Sequence, residues 1–166
     1  MLMDIAVLNA HDPDNELLYE DNANDNMTKK NNALPLWGNQ KTMNLNGLVL
    51  ENIIQCTYWK NFLTEYNTFQ QLADEVYYNV RGVGAGGIIS SAFCLLYKMF
   101  TLKITRKQLV GMINSTTSPY LRGIGFMYIR FCQPPQDLWT WFEPYLDDDD
   151  TIDPRSGGGD SMTFGQ

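Results

Sequence analysis

Apolar residues recur at helical spacing along most of this chain, and polar residues mark where each run starts and stops. Asn44 or Asn46 can cap a helix over Leu48 to Gln55, with Leu48, Ile53 and Ile54 facing inward. Tyr58, Trp59, Phe62 and Leu63 form a second short apolar face. Thr68 and Gln71 have the spacing of a capping box, in which each side chain satisfies a free backbone N–H near the other. Phe69, Leu72, Val76 and Tyr77 follow, so this helix is expected to run to about Val80. The run Ile88, Ile89, Ala92, Phe93, Leu95, Leu96, Met99 and Phe100 is apolar on nearly every side, which suits a helix at the centre of a core, over about 85–101. Its length and its good helix formers from Ala92 to Met99 favour helix over a buried strand.

Thr105 with Gln108 makes a second capping box, ahead of Leu109, Val110, Met112 and Ile113. Ser118 followed by Pro119 reads as an N-cap with proline at the first helical position. The helix behind it presents Leu121, Ile124, Tyr128 and Ile129. Gly123 and Gly125 inside it each cost about 1 kcal/mol relative to alanine, so they predict close approach of another helix. Pro134-Pro135 ends it, and Leu138, Trp139, Phe142, Tyr145 and Leu146 predict a last aromatic-rich helix. Asp147 to Asp150 then read as a solvated end, and 153–159 as a flexible stretch. No convincing period-two strand and no internal repeat is present. The fold class is therefore all-α: a compact multi-helix domain around a central apolar helix.

The first 33 residues depart from this pattern. They are rich in Asn and Asp and poor in aromatics, which predicts a disordered acidic head over 1–33. Leu34, Leu36 and Trp37 lie on a proline-bent segment that reads as an arm docking on the domain, since a free Trp37 would stand in water. The helical domain is then expected over 34–150.

Charge sharpens the picture. The formal net charge of -7 argues against an ordinary basic nucleic-acid binder. Yet Val76 to Gln136 holds seven basic residues and no acid, between acidic ends. Lys103, Arg106, Lys107, Arg122 and Arg130 are the candidate contact residues of that basic centre. Two readings follow: a face for RNA phosphates across the segment 98–130, or a face for acidic protein partners. Between Arg81 and Lys98 lie 16 uncharged residues, short of the roughly 20 that a membrane helix needs. With no signal-peptide pattern at the N-terminus either, a soluble intracellular protein is expected, with no membrane partner.

Candidate chemistry is sparse. Gly82, Gly84 and Gly87 match G-x-G-x-x-G, but a dinucleotide site also needs an acid about 20 residues on, and none occurs before Asp137. The capping box at Thr68 also puts a helix where that motif needs a strand. The only histidine is His11, in the head, so no nucleophile–base pair is legible. Cys56, Cys94 and Cys132 are widely spaced and read as core thiols in a reducing compartment. The aspartate run lacks the spaced ligands of a calcium loop. The expectation is no catalytic residue, no cofactor, no metal and no small-molecule substrate.

Several strings are distinctive: LPLWGN, MNLNGLVLENI, DEVYYNV, RGVGAGGIISSAFCLLYKMFTLKITRKQ, SPYLRGIGFMYIRFCQPPQDLWTWFEPYLDDDD and SGGGDSMTFG. In this order, from about Leu34 to Gln166, they resemble the pre-mRNA-splicing factor 38 family, its B type by the LPLWGN lead-in. The resemblance implies a non-enzymatic, nuclear spliceosomal scaffold. Its partners would be other spliceosome proteins, associated with the tri-snRNP around activation. Two departures stand out. The family carries an extra segment between the helix ending near Val80 and the RGVGAGG string, whereas here Val80 abuts Arg81. The family domain also continues past SMTFG, so 151–166 reads as a truncated C-terminal portion of the same domain.

Overall fold

Side-chain caps set where the helices begin. In the computed structural model the described residues are 32–83, 89–155 and 160–166. The head up to residue 31 and the glycines at 84, 86 and 87 lie outside them. Leu34–Gln166 forms one unit. Asn46 accepts from the Leu48 N–H and starts α1, Gly47–Gln55. Thr68 and Gln71 complete both halves of their box and start α2, Phe69–Asn79. Ser90 caps α3, Ser91–Leu102, and Thr105 with Gln108 caps α4, Arg106–Ile113. Ser118 caps α5, Pro119–Cys132, with proline at the first turn as expected.

Endings are as local as starts. Val80 is extended after α2, and the Arg81 guanidinium donates to the Tyr78 and Val80 carbonyls left free there. Lys103 ends α3 in the left-handed region, at φ 55°. Gln133 precedes Pro134 and takes the extended conformation that a following proline favours.

The core gathers α2, α3, α4 and α5 around side chains such as Leu72, Leu95, Met99, Met112, Ile124 and Tyr128, all fully buried. Complete burial of one Leu or Ile stabilises by about 1.5–3 kcal/mol, so this cluster dominates the fold. Gly125 lets α5 approach α4: a Cβ there would lie 2.8 Å from Ile113 Cγ2 and 3.1 Å from Met112 Cβ. At Gly123 a Cβ would meet Ile152 Cδ1 at 3.1 Å and Val83 Cγ1 at 3.3 Å. The first glycine predicted to mark a close approach faces side chains of a loop and a strand, and the second faces a helix.

Several expectations change. The central helix starts at Ser91 rather than near 85, because Ser90 is extended and caps it. Asn44 does not cap α1: its backbone is left-handed, and its side chain bonds elsewhere. Of the three residues expected inward on α1, only Ile53 is buried; Leu48 is 67% exposed and Ile54 is also exposed. Val49 and Leu50, one turn before Ile53, pack on the core instead. The last aromatic helix is two pieces, α6 (Leu138–Phe142) and a 3-10 turn (Glu143–Tyr145). Pro144 has no N–H to continue the α ladder.

The C-terminal segment contains the one pairing of strands among the described residues. β1 (Thr151–Ile152) and β2 (Met162–Thr163) are antiparallel, with Thr151 opposite Thr163 and Ile152 opposite Met162. Gly165 closes the segment against the acidic run: a Cβ there would stand 2.3 Å from the Leu146 carbonyl oxygen.

The arm docks, but not by its tryptophan. Trp37 N–H donates to the Cys132 carbonyl at 2.8 Å, and Gln133 Nε2 donates to the Pro35 carbonyl at 3.0 Å. Leu34 and Leu36 pack on the core while Trp37 stays 48% exposed. Asn44 Nδ2 bridges the Trp37 and Phe131 carbonyls, at 3.0 and 2.8 Å. Gly38, at φ 83°, is required here, since a Cβ would lie 2.2 Å from Asn44 Oδ1.

Candidate interaction surfaces

Arg122, one of the five basic candidates, is 5% exposed and faces inward. Its Nε donates to the Ile113 carbonyl at 2.9 Å. One terminal nitrogen donates to Asp150 Oδ2 at 2.8 Å and the other to Asp148 Oδ2. Its guanidinium lies 4.1 Å from the centre of the Phe164 ring, a cation–π distance. The hydrogen bond from Arg122 holds the Asp148 carboxyl below the usual carboxylate range, against the opposing effect of burial. Arg122 is thus committed inside the domain and offers no charge to an RNA or protein partner. The same contact qualifies the reading of Asp147 to Asp150 as a solvated end at Asp148 alone. Asp148 is half-buried against Arg122, Asp150 reaches Arg122 while itself exposed, and Asp147 and Asp149 are exposed.

The other four basic candidates are exposed. Lys103 ends α3, and Arg106 and Lys107 open α4 three residues later. Arg130 lies near the C-terminal end of α5. Lys103, Arg106 and Lys107 thus share the turn from α3 into α4, while Arg130 lies on a different helix. Arg106 lies 5.4 Å from the Trp141 ring centre and Arg130 4.7 Å from that of Phe131. Trp139, on α6, is 63% exposed. Lys98, within the basic segment, is buried along its stem, with its amine 5.8 Å from the Trp59 ring centre.

A second surface is apolar. Leu48 on α1 and Phe62 on the π-helical turn Trp59–Leu63 stand in solvent, with Phe62 54% exposed. Phe62 is supported from behind by Tyr58, at 6.1 Å between ring centres. Tyr58 Oη donates to Glu75 Oε1 at 2.7 Å, Tyr66 Oη donates to Oε2 at 3.3 Å, and Asn79 Nδ2 donates to Oε2 at 2.9 Å. Burial, reinforced by the bond to Glu75, raises the Tyr58 phenol well above its ordinary value. The turn is therefore fastened to α2 while its outer side chain remains uncovered. Periodicity carries the signal that Leu48 points outward: it lies five residues before Ile53, on the far side of a helix from that anchor.

Among the described residues, no group of three or more His, Cys, Asp or Glu could hold a metal ion. Nor is any described helix long and apolar enough to cross a membrane. What the geometry defines is a helical domain with exposed basic, aromatic and apolar side chains. Residues 34–166 match the PRP38 family model, and the chain belongs to that family. It is 50% identical to Pre-mRNA-splicing factor 38B of Homo sapiens over 161 residues, covering 83% of this chain and 30% of the human protein. It is 47% identical to the Danio rerio protein of the same name, covering 83% of this chain and 32% of that protein. The chain thus spans about a third of the length of these curated relatives. It also resembles a chain of the crystal structure of the Snu23-Prp38-MFAP1(217-258) complex of Chaetomium thermophilum. There the TM-score is 0.67 at 25% identity, covering 77% of this chain and 69% of that one.

Proposed function

We propose that this chain is a non-enzymatic spliceosomal scaffold that acts in pre-mRNA splicing in the nucleus. It binds other spliceosome proteins, in association with the tri-snRNP and around activation. The observation that carries this reading is the family match across the whole described domain, at 50% identity to a splicing factor. A neighbour solved within a three-protein complex supports a protein-binding role. Leu48 on α1 and Phe62 on the turn fastened to α2 are exposed apolar side chains of the kind such binding uses. Affinity capture from nuclear extract with the tagged chain tests this. Spliceosomal proteins should be enriched over a folded control, and a Leu48→Asp/Phe62→Asp variant that keeps its helical content should capture less. A folded chain that enriches none of them overturns the proposal.

One arrangement favours a second reading, direct RNA contact through the basic segment. Lys103, Arg106 and Lys107 are exposed at the turn from α3 into α4, Arg130 is exposed near the end of α5, and Trp139 is also uncovered. Phosphate contacts by these side chains would make binding to single-stranded RNA fall steeply with salt, and Arg106→Ala/Lys107→Ala would lower the slope. Undetectable binding at low salt removes this reading.

A further inference from the structure

Cys56 and Cys94 are 38 residues apart in sequence, yet their sulfurs lie 3.7 Å apart. Both are free thiols. Cys56 caps the C-terminal end of α1 and is part-exposed, with the Trp59 N–H pointing at its sulfur from 3.4 Å. Cys94 is buried in the first turn of α3. A disulfide needs sulfurs about 2.05 Å apart, so the pair must close by less than 2 Å. Cys56 lies just outside its helix, in extended backbone. Cys132, the third thiol, is buried.

We propose that Cys56 and Cys94 form a reversible oxidation site, a dithiol that a hydroperoxide converts to a disulfide joining α1 to α3. The chemistry balances with hydrogen peroxide as the two-electron oxidant. The Cys56 thiolate attacks one peroxide oxygen, the O–O bond breaks, and hydroxide leaves, which gives a sulfenic acid on Cys56. The Cys94 sulfur then attacks the Cys56 sulfur. The S–O bond breaks, and the leaving hydroxide takes the Cys94 proton as water. Both thiols are oxidised and the peroxide is reduced to two waters. The order of roles follows from access: Cys56 is the sulfur that solvent reaches, and it can receive a hydrogen bond from Trp59. Burial first, and the neighbouring Cys56 second, push the Cys94 thiol up to about 12, which fits the second, resolving role. A dithiol reductant returns the pair by exchange.

The site has a consequence for the surface described above. Cys56 lies between α1, which carries Leu48, and the turn that carries Phe62. The bond would fix both segments to the central helix.

The test uses the full chain, reduced, desalted and then exposed to hydrogen peroxide. After quenching and unfolding in denaturant, two of its three thiols should no longer be alkylated, and mass spectrometry should find the Cys56 and Cys94 peptides joined, with both effects reversed by dithiothreitol. Cys132→Ser should leave the link in place, while Cys94→Ser should abolish it and leave Cys56 to oxidise further. Closing this ring in the unfolded chain should raise the thermal midpoint by about 5 °C or more. The proposal is overturned if all three thiols stay free. It is equally overturned if Cys56 oxidises to the sulfinic acid while Cys94 stays alkylatable, or if the linked protein melts below the reduced one.

Discussion

Arg122 holds pieces of chain that are distant in sequence: the end of α4 through the Ile113 carbonyl, the acidic run through Asp148 and Asp150, and Phe164 beyond β2. Lysine would keep the charge but lose the planar fork and the stacking, so Arg122→Lys should cost about 1–3 kcal/mol in a denaturant titration. Asp148 gives this contact a pH dependence. Its carboxyl is held below its unfolded value, so it contributes stability above the unfolded carboxylate range. That contribution is lost as the pH falls through the lower folded value. Thermal midpoints of the wild type should therefore fall on acidification below about pH 4, and Asp148→Asn should start lower at neutral pH and show a shallower fall. Gly125→Ala makes the opposite kind of test. The new methyl meets Ile113 and Met112 across a tight helix contact, so a loss of about 1–3 kcal/mol is expected. A neutral result would show that α4 can yield.

At the scale of elements, what the sequence made legible was local. Caps act over three residues, and Thr68, Thr105 and Ser118 each start the helix expected of them. Thr105→Ala should cost about 1 kcal/mol and Thr105→Asp far less, because aspartate can still accept the N–H of Gln108. Features set by distant contacts were not legible. Arg122 looked like a surface charge because its carboxylates lie 26 and 28 residues on. β1 and β2 are two residues each, too short for an alternation to register. An apolar ring of the size of Trp37 predicts burial, but hydrogen bonds of the arm's backbone and two leucines dock the arm instead. The outward direction of Leu48 was within reach of the helical period, since it lies across the helix from Ile53, whereas Ile54 adjoins that anchor and its exposure needed the fold. Of the candidate site, the four exposed basic residues could be named from charge pattern alone. The Phe62 surface needed the fold.

At the scale of the whole molecule, the domain is a preformed frame. Its core and caps fix the helices, the Arg122 contacts fasten the C-terminal segment, and the side chains left over are the ones available to partners. The chain belongs to the PRP38 family, and the role proposed for it is to hold spliceosome proteins in place. The most direct measurement of that claim is sedimentation of the tagged chain through a gradient of nuclear extract with intact tri-snRNP. The account predicts a fraction of the chain in particles of tri-snRNP size or larger, reduced by Leu48→Asp/Phe62→Asp. A folded chain that stays entirely at its free position, beside intact particles, would contradict it.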